Sequence, residues 1–131
     1  MKKLGVLNKE ISEVIAGMGH YDMLVIGDAG LPIPQGVKRI DLALTKGVPE
    51  FLQTLRTVLE ELQVERAVIA SEMENISPDL YQAVEKMMVD TPIRTVSHEE
   101  FKNMTQRAVA VIRTGEFTPY ANIILESGVV F

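Results

Sequence analysis

Short apolar runs alternate along the chain with stretches in which apolar residues recur every three or four positions. Runs that are apolar throughout predict strands buried on both faces, whereas alternating runs predict strands covered on one face only. The runs at 23–27, 67–70 and 109–112 are of the first kind. With three further runs, the predicted strands are 23–27, 39–44, 67–70, 92–97, 109–112 and 121–125.

Four amphipathic stretches lie between these strands and predict helices. Asn8 is a suitable N-cap for the first helix, and Gly19 is a natural stop for it. Ser97 and Glu100 have the spacing of a capping box, which predicts the start of the last helix. The four predicted helices cover residues 8–19, 49–62, 77–87 and 97–108.

Alternating strands and helices indicate an α/β fold, in which helices cover both faces of a mostly parallel central sheet. The pattern leaves the direction of the last strand open. The longest connections, 28–38 and 114–119, are too short to separate two units. We therefore expect a three-layer α/β/α architecture formed by a single domain over residues 1–131.

Composition narrows the functional classes. The chain has no cysteine, so thiolate catalysis and cysteine-ligated zinc are absent, and a reducing compartment suits it. A net charge of −5 argues against a nucleic-acid partner. Neither a signal-peptide pattern nor a run of about 20 apolar residues is present. We expect a cytoplasmic protein without a membrane partner.

Polar residues follow several of the predicted strands. In open α/β sheets ligands bind at the carboxyl ends of the strands, so these residues are candidates for a small polar ligand. The alternative is that each strand simply ends in solvent, where polar residues are common. The residues in question are Asp28, Ser71, Glu72, His98, Arg113, Thr114 and Glu116.

The two histidines allow different interpretations. His20 follows a predicted helix and either bonds the last carbonyls of that helix or acts as a general acid–base, a role for which histidine is well suited near neutral pH. His20 and Asp28 flank one strand and lie about 20 Å or more apart along it, so they share a ligand only through a chain reversal or a second subunit. His98 is either an exposed residue of a capping box or a ligand for hydroxyl oxygens.

Three further features bear on binding chemistry. The histidines lack the close spacing of metal ligands, so we expect no metal site. Tyr120 is either a core residue or a hydrogen-bonding group. Asn122 lies in a predicted strand, where an amide needs a hydrogen-bonding partner, which favours a binding role.

Read together, these segments resemble the D-ribose pyranase family over essentially the whole chain. The match is densest in DAGLPIP at 28–34 and RIDLAL at 39–44, and it returns in VIRTGE at 111–116 and TPYANIIL at 118–125. The Gly19-His20 pair, Gly47 to Pro49 and His98 with Phe101 extend it. Fucose mutarotases share some of these elements but lack the Leu-Pro-Ile-Pro loop.

The resemblance implies that the chain interconverts the pyranose and furanose forms of D-ribose by ring opening and closing, without a cofactor. Carried over to this sequence, His20 is the proton donor, and Asp28, His98 and the segment Tyr120, Ala121 and Asn122 bind the sugar. The family also implies a homo-oligomer, a decamer, with the site between subunits. The family pattern has two acids after the strand at 67–70, whereas Ser71 and Glu72 follow it here.

Two other functions stay open on the sequence. A non-catalytic ribose-binding or sensor module would bind the sugar without accelerating its ring exchange. A mutarotase that acts on fucose would use a closely related site.

Overall fold

The computed structural model describes residues 1–131 and contains five α-helices and six strands. The helices are α1 (Lys9–Gly17), α2 (Phe51–Leu59), α3 (Glu72–Ile76), α4 (Pro78–Met87) and α5 (His98–Met104), the last continued by a 3₁₀ turn at Thr105–Arg107. The strands are β1 (Met23–Gly27), β2 (Lys38–Asp41), β3 (Val64–Ala70), β4 (Ile93–Val96), β5 (Ala110–Arg113) and β6 (Ile123–Ser127).

All six strands form one sheet, in the order β2-β5-β1-β6-β3-β4. The pairs β2–β5, β5–β1 and β3–β4 are parallel, and β6 runs antiparallel to both β1 and β3. The prediction of a mostly parallel α/β sheet is therefore confirmed, with β6 as the one reversed strand. Because β6 lies between β1 and β3 and runs antiparallel to both, its N-terminal end meets the carboxyl ends of these two neighbours.

Successive residues of the strands pack on opposite faces of the sheet. In β1, Leu24 and Ile26 belong to a large apolar cluster on the face covered by α1, α2 and α4. Val25 belongs to a smaller cluster on the other face, together with Phe101 of α5 and Leu31. Both faces are thus covered, which explains why β1 has no polar residue.

The predicted N-terminal caps of α1 and α5 are present. The Ile11 N–H donates to Asn8 Oδ1 at 2.9 Å, and the Glu100 N–H donates to Ser97 Oγ at 3.1 Å. The helices are shorter than their apolar patterns predicted. The helix predicted over 8–19 ends at Gly17, and the helix predicted over 49–62 spans only Phe51–Leu59. In the helix predicted over 97–108, a 3₁₀ turn replaces the last part.

Several other elements differ from the prediction. The strand predicted to reach Leu44 ends at Asp41, because the chain turns back and the Leu44 N–H donates to the Val48 carbonyl at 2.9 Å. The strand β6 begins at Ile123 rather than Ala121. The short helix α3 was not predicted, since five residues carry too little apolar pattern to reveal a helix. None of the helices is long and apolar enough to cross a membrane.

Candidate active site at the carboxyl edge of the sheet

One edge of the sheet collects most of the predicted site residues. Strands β1, β3, β4 and β5 end there, and β6 begins there. The segments that leave this edge therefore lie side by side, although they are far apart in sequence. They carry Asp28, Glu72, His98, Thr114, Glu116 and the segment Tyr120–Asn122.

Asp28 and Asn122 form a reciprocal pair at the centre of this edge. The Asp28 N–H donates to Asn122 Oδ1 at 2.8 Å, and Asn122 Nδ2 donates to Asp28 Oδ2 at 3.0 Å. Asn122 is 1% exposed, so these two bonds satisfy an amide that burial would otherwise destabilise. The pair fixes the Asp28 carboxylate in one orientation.

The close approach of these two segments depends on Gly27. A Cβ atom at this position would lie 2.8 Å from Leu31 Cδ2 and 3.1 Å from Asn122 Oδ1. A side chain would therefore push the amide of Asn122 away from Asp28. The buried Thr114 also holds Gly27 in place, since its hydroxyl donates to the Gly27 carbonyl at 2.7 Å.

The Asp28 carboxylate is half-buried and faces a cleft of about 430 Å³. Its Oδ1 accepts the Gly30 N–H at 2.9 Å, and its Oδ2 accepts the Asn122 amide. A carboxylate oxygen can accept more than one hydrogen bond, so both oxygens can still receive hydroxyl donors. Arg113 and Glu116 line the same cleft.

Tyr120 and Ala121 form the turn before β6. Tyr120 has a φ of 62°, in the left-handed region that non-glycine residues rarely adopt. Its carbonyl accepts the Asn122 N–H at 2.8 Å. Ala121 is fully buried, so it offers backbone rather than side-chain chemistry.

His98 lies at the first position of α5, beside Tyr120. The two rings meet edge to face with centroids 5.1 Å apart, and Phe101 lies parallel to the imidazole at 6.3 Å. The His98 N–H donates to Glu72 Oε2 at 3.0 Å, whereas the ring atom Nδ1 is buried without a hydrogen-bonding partner. A buried ring nitrogen without a partner is unusual, which marks His98 as a candidate for ligand binding.

The structure does not bring His20 to these residues. His20 precedes β1 and lies at the opposite edge of the sheet, where its Nε2 is 2.5 Å from Glu65 Oε2 and its ring stacks on Tyr21 at 3.6 Å. The five residues of β1, with Tyr21 and Asp22 before them, separate it from Asp28, which corresponds to about 20 Å or more along the chain. Within one chain, His20 and Asp28 do not face the same cleft.

Ser77 and Glu72 bind segments at this edge, although the sequence patterns do not assign either residue to the site. Ser77 precedes α4, as predicted, but its side chain makes no capping bond, and its hydroxyl donates to the Pro119 carbonyl at 2.6 Å. Glu72 was noted only as a polar residue after a strand, whereas its carboxylate accepts the His98 N–H. These are contacts between distant segments, and no local pattern indicates them.

The chain is similar to known proteins over its whole length. The model of the RbsD / FucU transport protein family matches residues 1–130. The chain belongs to this family. It is 60% identical to a D-ribose pyranase of Coprothermobacter proteolyticus and 56% identical to one of Symbiobacterium thermophilum, and each alignment covers 100% of both chains.

Solved structures of family members agree with this assignment. The structure of Bacillus subtilis RbsD complexed with D-ribose matches with a TM-score of 0.98 and 47% identity, over 100% of both chains. The fucose mutarotase of Streptococcus pneumoniae, solved in complex with L-fucose, matches with a TM-score of 0.82 and 24% identity, over 95% of both chains. The second likeness concerns the fold alone.

Proposed function

We propose that this protein is a D-ribose pyranase, an isomerase that interconverts the pyranose and furanose forms of D-ribose. The observation that carries the proposal is the full-length likeness to D-ribose pyranases at 55–60% identity. The likeness to RbsD, which was solved with D-ribose, supports the same substrate. The fucose mutarotase is more distant, at 24% identity.

The reaction needs only proton transfers. To open the pyranose, a base removes the proton of the anomeric hydroxyl, the bond between C1 and the ring oxygen breaks, and that oxygen takes up a proton. To close the furanose, the C4 hydroxyl attacks the C1 carbonyl and loses its proton, while the carbonyl oxygen gains one. A positioned acid–base group typically accelerates such steps by about 10²–10⁴-fold.

We assign the sugar-binding role to the carboxyl edge. The Asp28 carboxylate, held by Asn122, is suited to accept hydrogen bonds from sugar hydroxyls. The buried and unpartnered Nδ1 of His98 offers one further hydrogen-bonding position. We assign Tyr120 and Ala121 to sugar binding as well, since the turn that they form lies beside His98.

We assign proton donation to His20 of a second subunit. His20 and Asp28 lie at opposite edges of one sheet. A site that contains both residues therefore combines the carboxyl edge of one subunit with the opposite edge of a second subunit. The Glu65 carboxylate at 2.5 Å from Nε2 orients the imidazole. A closed homo-oligomer satisfies this arrangement at every interface, and a decamer is the form that we propose.

Nuclear magnetic resonance separates the candidate functions. Saturation transfer on D-ribose and L-fucose, with catalytic amounts of protein, measures the exchange between ring forms. We expect faster exchange between the pyranose and furanose forms of D-ribose. Binding of D-ribose without faster exchange would instead indicate a sensor module, and acceleration confined to L-fucose would indicate a fucose mutarotase.

Mixed oligomers test the shared site. His20→Ala and Asp28→Ala should each lose exchange activity as pure proteins. When the two are unfolded and refolded together, about one site in four should combine an intact His20 with an intact Asp28 and regain activity. Inactive mixtures, or a fully active monomer, would contradict the shared site.

The cytoplasmic location that we propose is tested by cell fractionation.

A further inference from the structure

The turn that presents Tyr120 has an unfavourable backbone conformation. The Thr118 carbonyl accepts the Ala121 N–H at 3.4 Å, with Pro119 and Tyr120 at the two central positions. A proline followed by a residue of positive φ is typical of a type II turn, whose third position favours glycine. Tyr120 occupies that position with a φ of 62°. Such a conformation persists only where surrounding contacts hold it.

Two side chains hold this turn, one from the start of α4 and one from the same loop. The Ser77 hydroxyl donates to the Pro119 carbonyl at 2.6 Å. The Glu116 carboxylate binds the start of the turn, since Oε2 accepts the Thr118 N–H at 3.3 Å and the Thr118 hydroxyl at 3.0 Å. Both contacts lie within three residues of Tyr120.

Glu116 also connects the turn to two other parts of the site. Its Oε1 accepts the Phe51 N–H at 3.1 Å, at the start of α2. The N-cap residue Glu50 makes no side-chain capping bond, so Glu116 supplies the missing acceptor, and a negative charge is favourable at that end of a helix. The Glu116 carbonyl accepts the Ala29 N–H at 2.9 Å, next to Asp28.

We propose that Glu116 is a positioning residue for the isomerase reaction. It fixes the turn that carries Tyr120 relative to the loop that carries Asp28, with the rigid helix α2 as the anchor. Its carboxylate binds the Phe51 N–H through Oε1 and the two donors of Thr118 through Oε2, and these contacts are the basis for a positioning role. This inference rests on the proposed function.

Glu116→Gln tests the role with little change in shape. A glutamine side chain has one acceptor oxygen, so either the Phe51 N–H or the donors of Thr118 lose their partner. We expect the KM for D-ribose to rise about tenfold while kcat changes less than about threefold, because a displaced turn weakens ground-state and transition-state binding alike. Ser77→Ala, which releases the turn at Pro119, should raise KM in the same direction.

Glu61→Gln is the matched control. Glu61 lies beyond the opposite end of α2 and binds Lys2 and the Val6 N–H, so its loss lowers stability without touching the turn. Its KM should equal that of the wild type. Unchanged KM values in both the Glu116 and Ser77 variants, or an equal rise in the Glu61 variant, would overturn the positioning role.

Hydrogen–deuterium exchange distinguishes this inference from the proposed function. An inactive wild-type protein would refute the proposed function, whereas the exchange rates of the turn do not depend on activity. We expect the Thr118 and Ala121 amides to exchange faster in Glu116→Gln and at the wild-type rate in Glu61→Gln. Unchanged protection of the turn in Glu116→Gln would overturn the positioning role by itself.

Discussion

The reciprocal pair between Asp28 and Asn122 makes the stability of an Asn122→Asp variant depend on pH. The substitution keeps the shape of the side chain but replaces the donor Nδ2 with a carboxylate oxygen. In the wild type this nitrogen lies 3.0 Å from Asp28 Oδ2. The variant therefore brings two carboxylates into contact at a position that is 1% exposed.

The geometry sets the size of the effect. Two unit charges about 3 Å apart repel by about 5 kcal/mol at an effective dielectric constant of 20. The pair avoids this cost by keeping one proton, because the neighbouring charge raises the pKa of one carboxyl in the variant. Holding that proton costs about 1.4 kcal/mol for each pH unit above an ordinary pKa of about 3.9. The penalty is thus at most about 4 kcal/mol at pH 7 and about 1.5 kcal/mol at pH 5.

Urea unfolding of wild type and variant at several pH values measures this penalty. The protein concentration is kept fixed, because subunit association contributes to apparent stability. The pKa of one carboxyl is raised in the folded variant, so the unfolded variant loses that proton at a lower pH. The loss of stability therefore grows as the pH rises. Asn103→Asp, at an exposed position of α5, makes the same chemical change where solvent screens the carboxylates of Glu99 and Glu100 one turn earlier. It should show little dependence on pH.

One result would refute this reasoning. A penalty in Asn122→Asp that stays constant between pH 5 and pH 7 would mean that the two carboxylates do not face each other. The reciprocal pair would then not exist in solution.

Three further predictions concern other positions. Gly27→Ala should lose most of the ribose exchange activity in the saturation-transfer assay, because the added Cβ meets Leu31 Cδ2 at 2.8 Å. Phe101→Ala should lower the free energy of unfolding in urea by about 3–5 kcal/mol, since it empties a fully buried position. The hydrogen bond from Lys2 holds the pKa of Glu61 below its usual range, so Glu61→Gln should reduce the melting temperature near neutral pH. This difference should vanish as the pH falls through the lowered pKa of Glu61.

Each of these three predictions has a control and a contradicting outcome. Gly17→Ala is the control for Gly27, since a Cβ at Gly17 meets nothing within 4 Å, and equal activity in both variants would contradict the argument. Phe117, which is 60% exposed, is the control for Phe101, and equal losses on alanine substitution would contradict burial as the cause. For Glu61, a difference in melting temperature that persists in acid would contradict the ion pair.

Much of the fold follows from local patterns. The fully apolar runs around Val25 and Val111 indicated central strands, because an unbroken apolar run is stable only with cover on both faces. The caps at Asn8 and Ser97 were also predicted, since each involves residues three positions apart. The direction of β6 was left open, because strand polarity depends on pairing between segments rather than on periodicity.

Part of the candidate site likewise follows from the sequence, and part depends on the fold. Sequence alone determined which side chains are available for chemistry, and it predicted that His20 and Asp28 are separated by the length of one strand. Only the tertiary structure decided that Asp28 pairs with Asn122, 94 positions away, and that Glu116 ties the turn at Thr118 to α2. These are hydrogen bonds between segments that meet when the sheet forms. No local periodicity encodes them, because their geometry depends on how all the strands pack together.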